Sequence, residues 1–378
     1  ALPEYPYPIP SMQHLFSSLV GGNVFTKLDM AYLQAYLQLP VTEESAEAQT
    51  IITHRGAFKV KRLQFGISVA PGIFQQVMED LLNNIEGVTP YFDDILIYAP
   101  SLQVLGRKLR DVLQRFRYVG LRAKRDKCIF GVKSINFLGY RIDASGLHPS
   151  REKLAAIQEA KIPENKTELQ AFLGLLNFYN SFLKGKADVA EPLHRLLDKG
   201  STWNWTKHHD KCFQSVKKLL TSDSVLHPFN PKLPTTLTCD ASPFGVGAVL
   251  SQTSKDGKDL PIAFASRTLT SAERNYAQID KEALALIVGV KKFHNFLYGR
   301  KFLLVTDHKP LLGLFTHNKP TPDIISPRMI RWSVILSAYD FNLIHKPGKC
   351  ISNADALSRL SCTLSKALMW RIRQTFFS

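Results

Sequence analysis

Tyr91-Phe92-Asp93-Asp94 lies between Val88-Thr89-Pro90 and the apolar run Ile95-Leu96-Ile97-Tyr98. Two apolar segments of strand character around adjacent carboxylates predict a β-hairpin, with Asp93 and Asp94 at or beside its turn. Such a pair is costly by itself. Two like charges about 4 Å apart repel by roughly 1 kcal/mol in water and by about 4 kcal/mol at an effective dielectric near 20. A divalent cation removes that cost, and carboxylate oxygens are the ligands Mg²⁺ prefers. An isolated Asp-Asp reads as well as an ordinary turn, since Asp tolerates turn geometry. Here the large apolar residues on both sides and a matching carboxylate upstream, Asp29, favour a metal-binding hairpin.

The upstream carboxylate ends its own predicted strand, Val24-Phe25-Thr26-Lys27-Leu28-Asp29. Before it, a Pro-rich lead-in and a short amphipathic helix from Met12 to Leu19 stop at Gly21-Gly22. After it comes a tandem copy, Ala31-Tyr32-Leu33-Gln34 followed by Ala35-Tyr36-Leu37-Gln38, too short to mean a solenoid. A hairpin is expected over Thr50 to Val60, bending at Arg55-Gly56. A helix follows from Ile73 to Asn83, with Phe74, Val77, Met78, Leu81 and Leu82 as core. Beyond the carboxylate hairpin, Leu102 to Tyr118 reads as a basic amphipathic helix.

Composition bounds the partner. The 378 residues carry 48 Lys and Arg against 32 Asp and Glu, a formal charge of +16, on an otherwise ordinary globular background of 45% apolar and 21% charged residues. That excess points to a polyanion, nucleic acid before anionic membrane. The length predicts two or three domains. The longest apolar run, Ala283 to Val290, is closed by Lys291-Lys292 and is too short to span a bilayer. No signal peptide opens the chain, and Cys128, Cys212, Cys239, Cys350 and Cys362 lack metal spacing and read as reduced intracellular thiols. The chain opens on Ala1 and is read as a piece of a longer protein.

Residues 150 to 200 read as helical, with Leu169 to Leu183 carrying the aromatic cluster Phe172, Phe178, Tyr179 and Phe182 as core, and Trp203-Asn204-Trp205-Thr206 starts another helical stretch, Asp210 to Leu220. Pro228, Pro231 and Pro234 make a boundary. Strands are expected at Thr236–Asp240, Gly245–Leu250, Ile262–Ser266, Phe302–Asp307 and Phe341–His345. One helix is expected from Ser271 to about Tyr298, and a last one starts at Asn353-Ala354-Asp355. Asp240 and Asp307 end strands, and Glu282 lies one turn before Leu286, at the edge of a buried helix face. Singly each has an ordinary explanation, Asp355 as an N-cap and Glu282 as a helix surface charge. His308 reads as a turn residue.

LDM followed by AYLQ, LQFGISVAPGIFQ, YFDD, LRAKRDKCIF, FLGY and ELQAFLGLLNFYNSFL occur in the order of gypsy-type long-terminal-repeat retrotransposon reverse transcriptases. CDAS, DKEALA, TDHKPL and NADALSRL match the ribonuclease H part of the same polyproteins, so the likeness runs from about residue 5 to residue 360. It implies an α+β and α/β multidomain chain, a right-hand polymerase palm and thumb followed by a ribonuclease H-like fold. Its divisions are partial fingers and palm over 1–148, thumb and connection over 149–232, ribonuclease H over 233–360 and an unmatched tail over 361–378.

In the palm the resemblance implies two Mg²⁺ ions, with Mn²⁺ as alternative, around Asp29, Asp93 and Asp94. Because adjacent strand residues face opposite ways, Asp29 and Asp93 are expected as main ligands and Asp94 as peripheral. Tyr36 resembles the aromatic gate against a 2′-hydroxyl, Phe65 and Gly66 the floor under the incoming base pair, and Phe137-Leu138-Gly139-Tyr140 the primer grip. Lys127 resembles the lysine that protonates pyrophosphate, and it also reads as one more solvated charge in a basic loop. Asp240, Glu282, Asp307 and Asp355 resemble the ribonuclease H ligands of a second Mg²⁺ pair. The implied partners are RNA template, DNA primer, RNA-DNA hybrid and deoxynucleoside triphosphates, with no membrane. The implied compartment is intracellular, a cytoplasmic retrotransposon particle and then the nucleus.

The chain also departs from the family pattern. The tandem AYLQ puts Tyr36 two positions farther from Asp29 than expected, and Gln64 stands where the family has Pro. Upstream finger strands are expected before residue 1, no DSG, DTG or zinc-binding HxxH with CxxC occurs, and the tail matches nothing in the family. A decayed or domesticated copy that binds nucleic acid without turnover therefore stays open as the alternative.

Overall fold

The alternating apolar residues on either side of the Asp-Asp pair do fold as a hairpin, within the first of two units into which the computed structural model divides, Ala1–Leu147 and His148–Ser378. The structure describes residues 7–10, 12–30, 35–198, 200–220, 225–315 and 326–347.

In the first unit, α1 (Met12–Ser17) leads into β1 (Val24–Asp29), whose Val24, Phe25, Thr26 and Leu28 are buried. A 3₁₀ turn at Tyr36–Gln38 precedes α2 (Glu43–Ala48), capped by Thr42. The exposed hairpin of β2 (Ile51–Thr53) and β3 (Gly56–Phe58) pairs Thr53 with Gly56, so its turn is His54-Arg55, one residue earlier than expected. Helix α3 (Ala70–Leu82) begins three residues before the expected start, because Pro71 occupies its first turn, where the missing N–H costs nothing. Phe74, Met78 and Leu82 are buried, whereas Val77, expected in the core, is 36% exposed at the edge of the stripe.

The hairpin follows as β4 (Val88–Tyr91) and β5 (Asp94–Ala99), then α4 (Leu102–Val119), which ends on Gly120 in the left-handed conformation. Strand β6 (Ile129–Val132) completes a four-stranded sheet in the order β4-β5-β1-β6. Leu28, Ile95 and Ile97 of this sheet pack with Phe74 and Met78 of α3 and with Val112 and Phe116 of α4. A smaller sheet is made by β7 (Ser134–Phe137), β8 (Tyr140–Asp143) and β9 (Gly146–Pro149).

The second unit starts helical, with α5 (Arg151–Gln158), α6 (Lys166–Phe178), α7 (Lys186–Arg195) and α8 (Lys207–Leu219). Phe172, Tyr179 and Phe182 are buried as expected. Phe178 is instead 39% exposed, with the Lys153 ammonium 4.3 Å above its ring.

A five-stranded sheet follows, its strands in the spatial order Asp259–Thr268, Gly245–Thr253, Thr235–Ala241, Lys301–Thr306 and Asp340–His345. Its first three strands, β10 (Thr235–Ala241), β11 (Gly245–Thr253) and β12 (Asp259–Thr268), are antiparallel. The single helix expected from Ser271 to Tyr298 is three pieces, α9 (Ser271–Arg274), α10 (Gln278–Lys292) and α11 (His294–Leu297). The first break falls where Ala277 turns to extended backbone and Tyr276 lies under the Arg328 guanidinium at 3.7 Å. The second falls at Phe293, itself buried. Strands β13 (Lys301–Thr306) and β14 (Asp340–His345) run parallel to β10 and flank α12 (Leu311–Phe315) and α13 (Pro327–Leu336) in sequence.

Helix α10 lies on the sheet at Gly289, where an added Cβ would come 2.7 Å from Cys239 Sγ. Leu286 and Val290 of the helix and Leu237, Leu250 and Leu304 of the sheet form the core between them. Asp355 and the tail lie outside the described residues.

Candidate active sites

In the first unit β1 and β5 pair with Asp29 directly opposite Asp94, and the turn between β4 and β5 consists of Phe92 and Asp93. Phe92 has φ 51°, a left-handed conformation that a bulky residue adopts only when its surroundings impose it. Gln75, fully buried on α3, imposes it. Its Oε1 accepts the Phe92 N–H at 2.7 Å, while its Nε2 donates to the Pro90 carbonyl at 3.0 Å and to Glu79 Oε1 at 2.6 Å. Met30 N–H donates to the Asp93 carbonyl at 2.9 Å, tying the turn to the end of β1.

Register puts Asp94 on the same sheet face as Asp29. Strand facing therefore does not set Asp94 apart, as the sequence argument had it. Lys27 does: its Nζ lies 2.8 Å from Asp94 Oδ2. Burial raises both carboxyls of the pair above the usual range. The Asp29 charge adds to this at Asp93, whereas Lys27 and Lys127 draw it back. At Asp94 the main opposing effect is the Lys27 hydrogen bond. Lys127 stands exposed in the short 3₁₀ turn Arg125–Lys127, within electrostatic reach of Asp93.

Tyr36 packs edge-on against Phe74 with ring centroids 5.2 Å apart. The first copy of the repeat, residues 31–34, lies outside the described residues. Phe65 is 59% exposed and Gly66 has φ 84°, in a separate turn. Leu138 and Gly139, both at positive φ, are the two-residue turn between β7 and β8, the backbone a tight hairpin demands. Phe137 and Tyr140 anchor that turn from buried positions, Tyr140 edge-on to Phe16 at 5.0 Å.

In the second unit parallel pairing of Thr238 with Val305 carries Asp240 and Asp307 to the same end of adjacent strands. Asp240 ends up near the close of β10, Asp307 one residue past β13, and Glu282 of α10 faces them. Among the described residues this is the one group of metal-ligating side chains that converges, one oxygen of each within 4.8 Å of the others. Asp29, Asp93 and Asp94 do not gather that closely.

Glu282 is 4% exposed; its Oε1 accepts from Gln278 Nε2 at 2.6 Å and its Oε2 is buried with no hydrogen-bond partner. Burial, then the charges of Asp240 and Asp307, push its carboxyl up to about 8. A buried carboxyl oxygen without a hydrogen-bond partner, beside the carboxylates of Asp240 and Asp307, suits a hard divalent cation with oxygen ligands. His345 contacts the Asp307 carbonyl through Nε2 at 3.0 Å. Burial lowers the pKa of His308.

Residues 2–142 match the reverse transcriptase (RNA-dependent DNA polymerase) family, and residues 205–304 match the RNase H-like domain found in reverse transcriptase. The chain thus carries a reverse transcriptase domain followed by an RNase H-like domain of the reverse transcriptase type. Among its relatives, the transposon Tf2-7 and Tf2-3 polyproteins of Schizosaccharomyces pombe are each 33% identical over 358 residues, 94% of this chain. The chain spans 26% of their length, about a quarter of the curated relatives it matches. Its fold is that of foamy viral protease-reverse transcriptase. The structure with dsDNA has a TM-score of 0.80 over 91% of this chain and 72% of that one, at 22% identity. The one with RNA/DNA hybrid has 0.77 over 91% and 46%, also at 22% identity. No described helix of the chain is long and apolar enough to cross a membrane.

Sequence reasoning missed Gln75, which sits on α3 next to Phe74, where periodicity reads only core. A lone amide on an otherwise apolar stripe is the signal it left. Lys27 was missed because its partnership with Asp94 depends on strand register.

Proposed function

We propose that this chain copies RNA into DNA at Asp29, Asp93 and Asp94 and degrades the RNA of RNA-DNA hybrids at Asp240, Glu282 and Asp307. The observation that carries the reading is the convergence of three carboxylates to within 4.8 Å around a buried Glu282 oxygen without a donor. A net charge of +16 supports nucleic acid as partner, and the related structures hold dsDNA or an RNA/DNA hybrid.

Mg²⁺ at each carboxylate set, two ions per site with Mn²⁺ as alternative, would neutralise phosphate charge and activate the attacking hydroxyl or water. Asp29 and Asp93 would be the main polymerase ligands, and Lys27 holds Asp94 as the peripheral one. Lys127 supplies a proton to departing pyrophosphate. Tyr36, held against Phe74, rejects the 2′-hydroxyl of a ribonucleotide and so admits the deoxynucleoside triphosphate. Phe65 and Gly66 lie under the new base pair, and the Phe137–Tyr140 turn holds the primer end. In the second site Asp355, outside the described residues, would be the fourth ligand. Residues 149–232 serve as thumb and connection on a duplex of template RNA and DNA primer. Work in a cytoplasmic particle, and then in the nucleus, fits this cycle and needs no membrane.

The test is cleavage of a labelled RNA-DNA hybrid with Mg²⁺, beside Asp240→Asn, with primer extension and Asp93→Asn in parallel tubes. Each activity should vanish in its own variant alone. Hybrid binding with neither product in the unsubstituted protein would overturn the enzymatic reading and leave a nucleic-acid-binding relic.

A further inference from the structure

The second copy of the AYLQ repeat does more than bring Tyr36 to Phe74. Gln38 reaches across to the loop that follows α4, where its Oε1 accepts the Arg122 N–H at 2.6 Å and its Nε2 donates to the Arg122 carbonyl at 3.1 Å. One side-chain amide thus closes both hydrogen-bonding groups of one residue, as a strand partner would. Gln38 is itself held, because its carbonyl accepts Arg62 Nη1 at 2.9 Å.

The same loop is tied to a carboxylate strand two residues farther on. Lys124 N–H donates to the Asp29 carbonyl at 2.8 Å, and Asp29 N–H points at Cys128 Sγ at 3.5 Å. That thiol donates to the Lys124 carbonyl at 3.2 Å. Lys127 lies between these ties. Below them the loop is undercut by a cavity of about 540 Å³ bordered by Gly120, Arg122, Ala123, Arg125 and Cys128. Leu121 anchors the loop in the core, with Ala123 and Cys128 packed against it, and the polar ties fix its backbone on the side that faces Gln38 and Asp29.

We infer that Gln38 is a positioning residue: it couples the Tyr36 segment to the loop that backs Asp29 and carries Lys127, so that nucleotide seating and the carboxylate site move as one. The inference rests on the polymerase reading above for its kinetic consequence, though not for the coupling itself.

The test compares the unsubstituted protein with Gln38→Met, which keeps the length and loses both bonds, and Gln38→Glu, which keeps an acceptor for Arg122 N–H. Three readouts are taken: kcat and KM for deoxynucleotide addition, the ratio of ribonucleotide to deoxynucleotide incorporation, and the site-resolved alkylation rate of Cys128. Gln38→Met should lower kcat about tenfold with little change in KM for primer-template, raise ribonucleotide incorporation and speed Cys128 alkylation several-fold. Gln38→Glu should recover part of each effect, which a loss of folding would not allow. If Cys128 alkylation is unchanged in Gln38→Met, the coupling is overturned whatever the kinetics. If it rises while the unsubstituted protein extends no primer, the coupling stands and the polymerase reading falls.

Discussion

Replacing Glu282 by Gln should make the metal-free second unit more stable while abolishing hybrid cleavage. With an oxygen from each carboxylate within 4.8 Å of the others, two ionised neighbours would each repel Glu282 by roughly 3.5 kcal/mol at an effective dielectric near 20. The fold escapes by keeping Glu282 protonated, its carboxyl pushed up to about 8. In the unfolded chain the same group ionises near its ordinary value, about 4.3. The native state therefore binds a proton that the unfolded state has released throughout that interval. The sign follows: Glu282 costs nothing below the ordinary value, and stability is lost as pH rises towards 8.

At pH 8 the cost is on the order of 4 kcal/mol, and residual structure in the unfolded chain cuts it to about 2–3 kcal/mol. Gln removes it, because an amide has no charge to lose and its NH₂ can donate to Asp240 and Asp307. For a unit of this size that is a rise of roughly 5–10 °C in melting temperature at pH 8, shrinking to about 1–2 °C at pH 5. Thermal unfolding followed by circular dichroism in EDTA measures both, and Mg²⁺ should then raise the melting temperature of the unsubstituted protein more than that of the variant. A Glu282→Gln protein no more stable than its parent at pH 8, or equally stabilised at both pH values, would refute the reasoning.

Gln75→Leu leaves the Phe92 N–H and the Pro90 carbonyl without their buried partner; primer extension should fall about 100-fold at a stability cost of about 2 kcal/mol, with hybrid cleavage retained. Gly289→Ala should cost about 1–3 kcal/mol in denaturant unfolding, because the new methyl meets Cys239 Sγ, and Cys239→Ala in the same chain should return part of it. Glu273, joined to Arg267 and to the Thr270 cap, has its carboxyl held down to about 2. Its contribution is present above the ordinary carboxylate range and is lost as pH falls towards 2, so Glu273→Gln should cost about 1 kcal/mol at pH 7 and nothing at pH 2.

The elements that hold the carboxylates were legible because burial writes itself into the pattern. Val24 to Asp29 and Ile95 to Ala99 could only be strands around a core, and two-residue hairpin turns leave the Asp93 and Gly139 type of corner. What was not legible depended on context that periodicity averages away. The helical spacing of Leu286, Val290, Phe293 and Leu297 continues through Phe293, so the break there was invisible; the one at Ala277 depends on Tyr276 meeting Arg328 from a distant helix. Gln75 hides inside a core stripe, since a buried polar group declares itself only when its partners are in place. The roles of Lys27 and Gln38 needed strand register and loop placement, both set by tertiary structure.

The two carboxylate sites face one electrostatic problem and meet it differently. In the first unit Lys27 compensates Asp94 at 2.8 Å, and Lys27 and Lys127 both lower the carboxyl of Asp93, so the site is partly neutralised by its own cations and its carboxylates stay apart. In the second, the groups acting on Glu282 are burial, two carboxylates, Gln278 and the Ala241 N–H, and the carboxylates are drawn together at the expense of an ionised state. The first arrangement carries its own compensating cations but must be assembled by nucleotide and duplex. The second is already assembled and must lose a proton. Loading of the second site should therefore release a proton to the buffer and tighten as pH rises towards 8, whereas loading of the first should depend more on nucleotide than on pH. Proton release measured in two buffers of different ionisation enthalpy separates the two, and equal release in Asp240→Asn and in the unsubstituted protein would show that Glu282 is not its source.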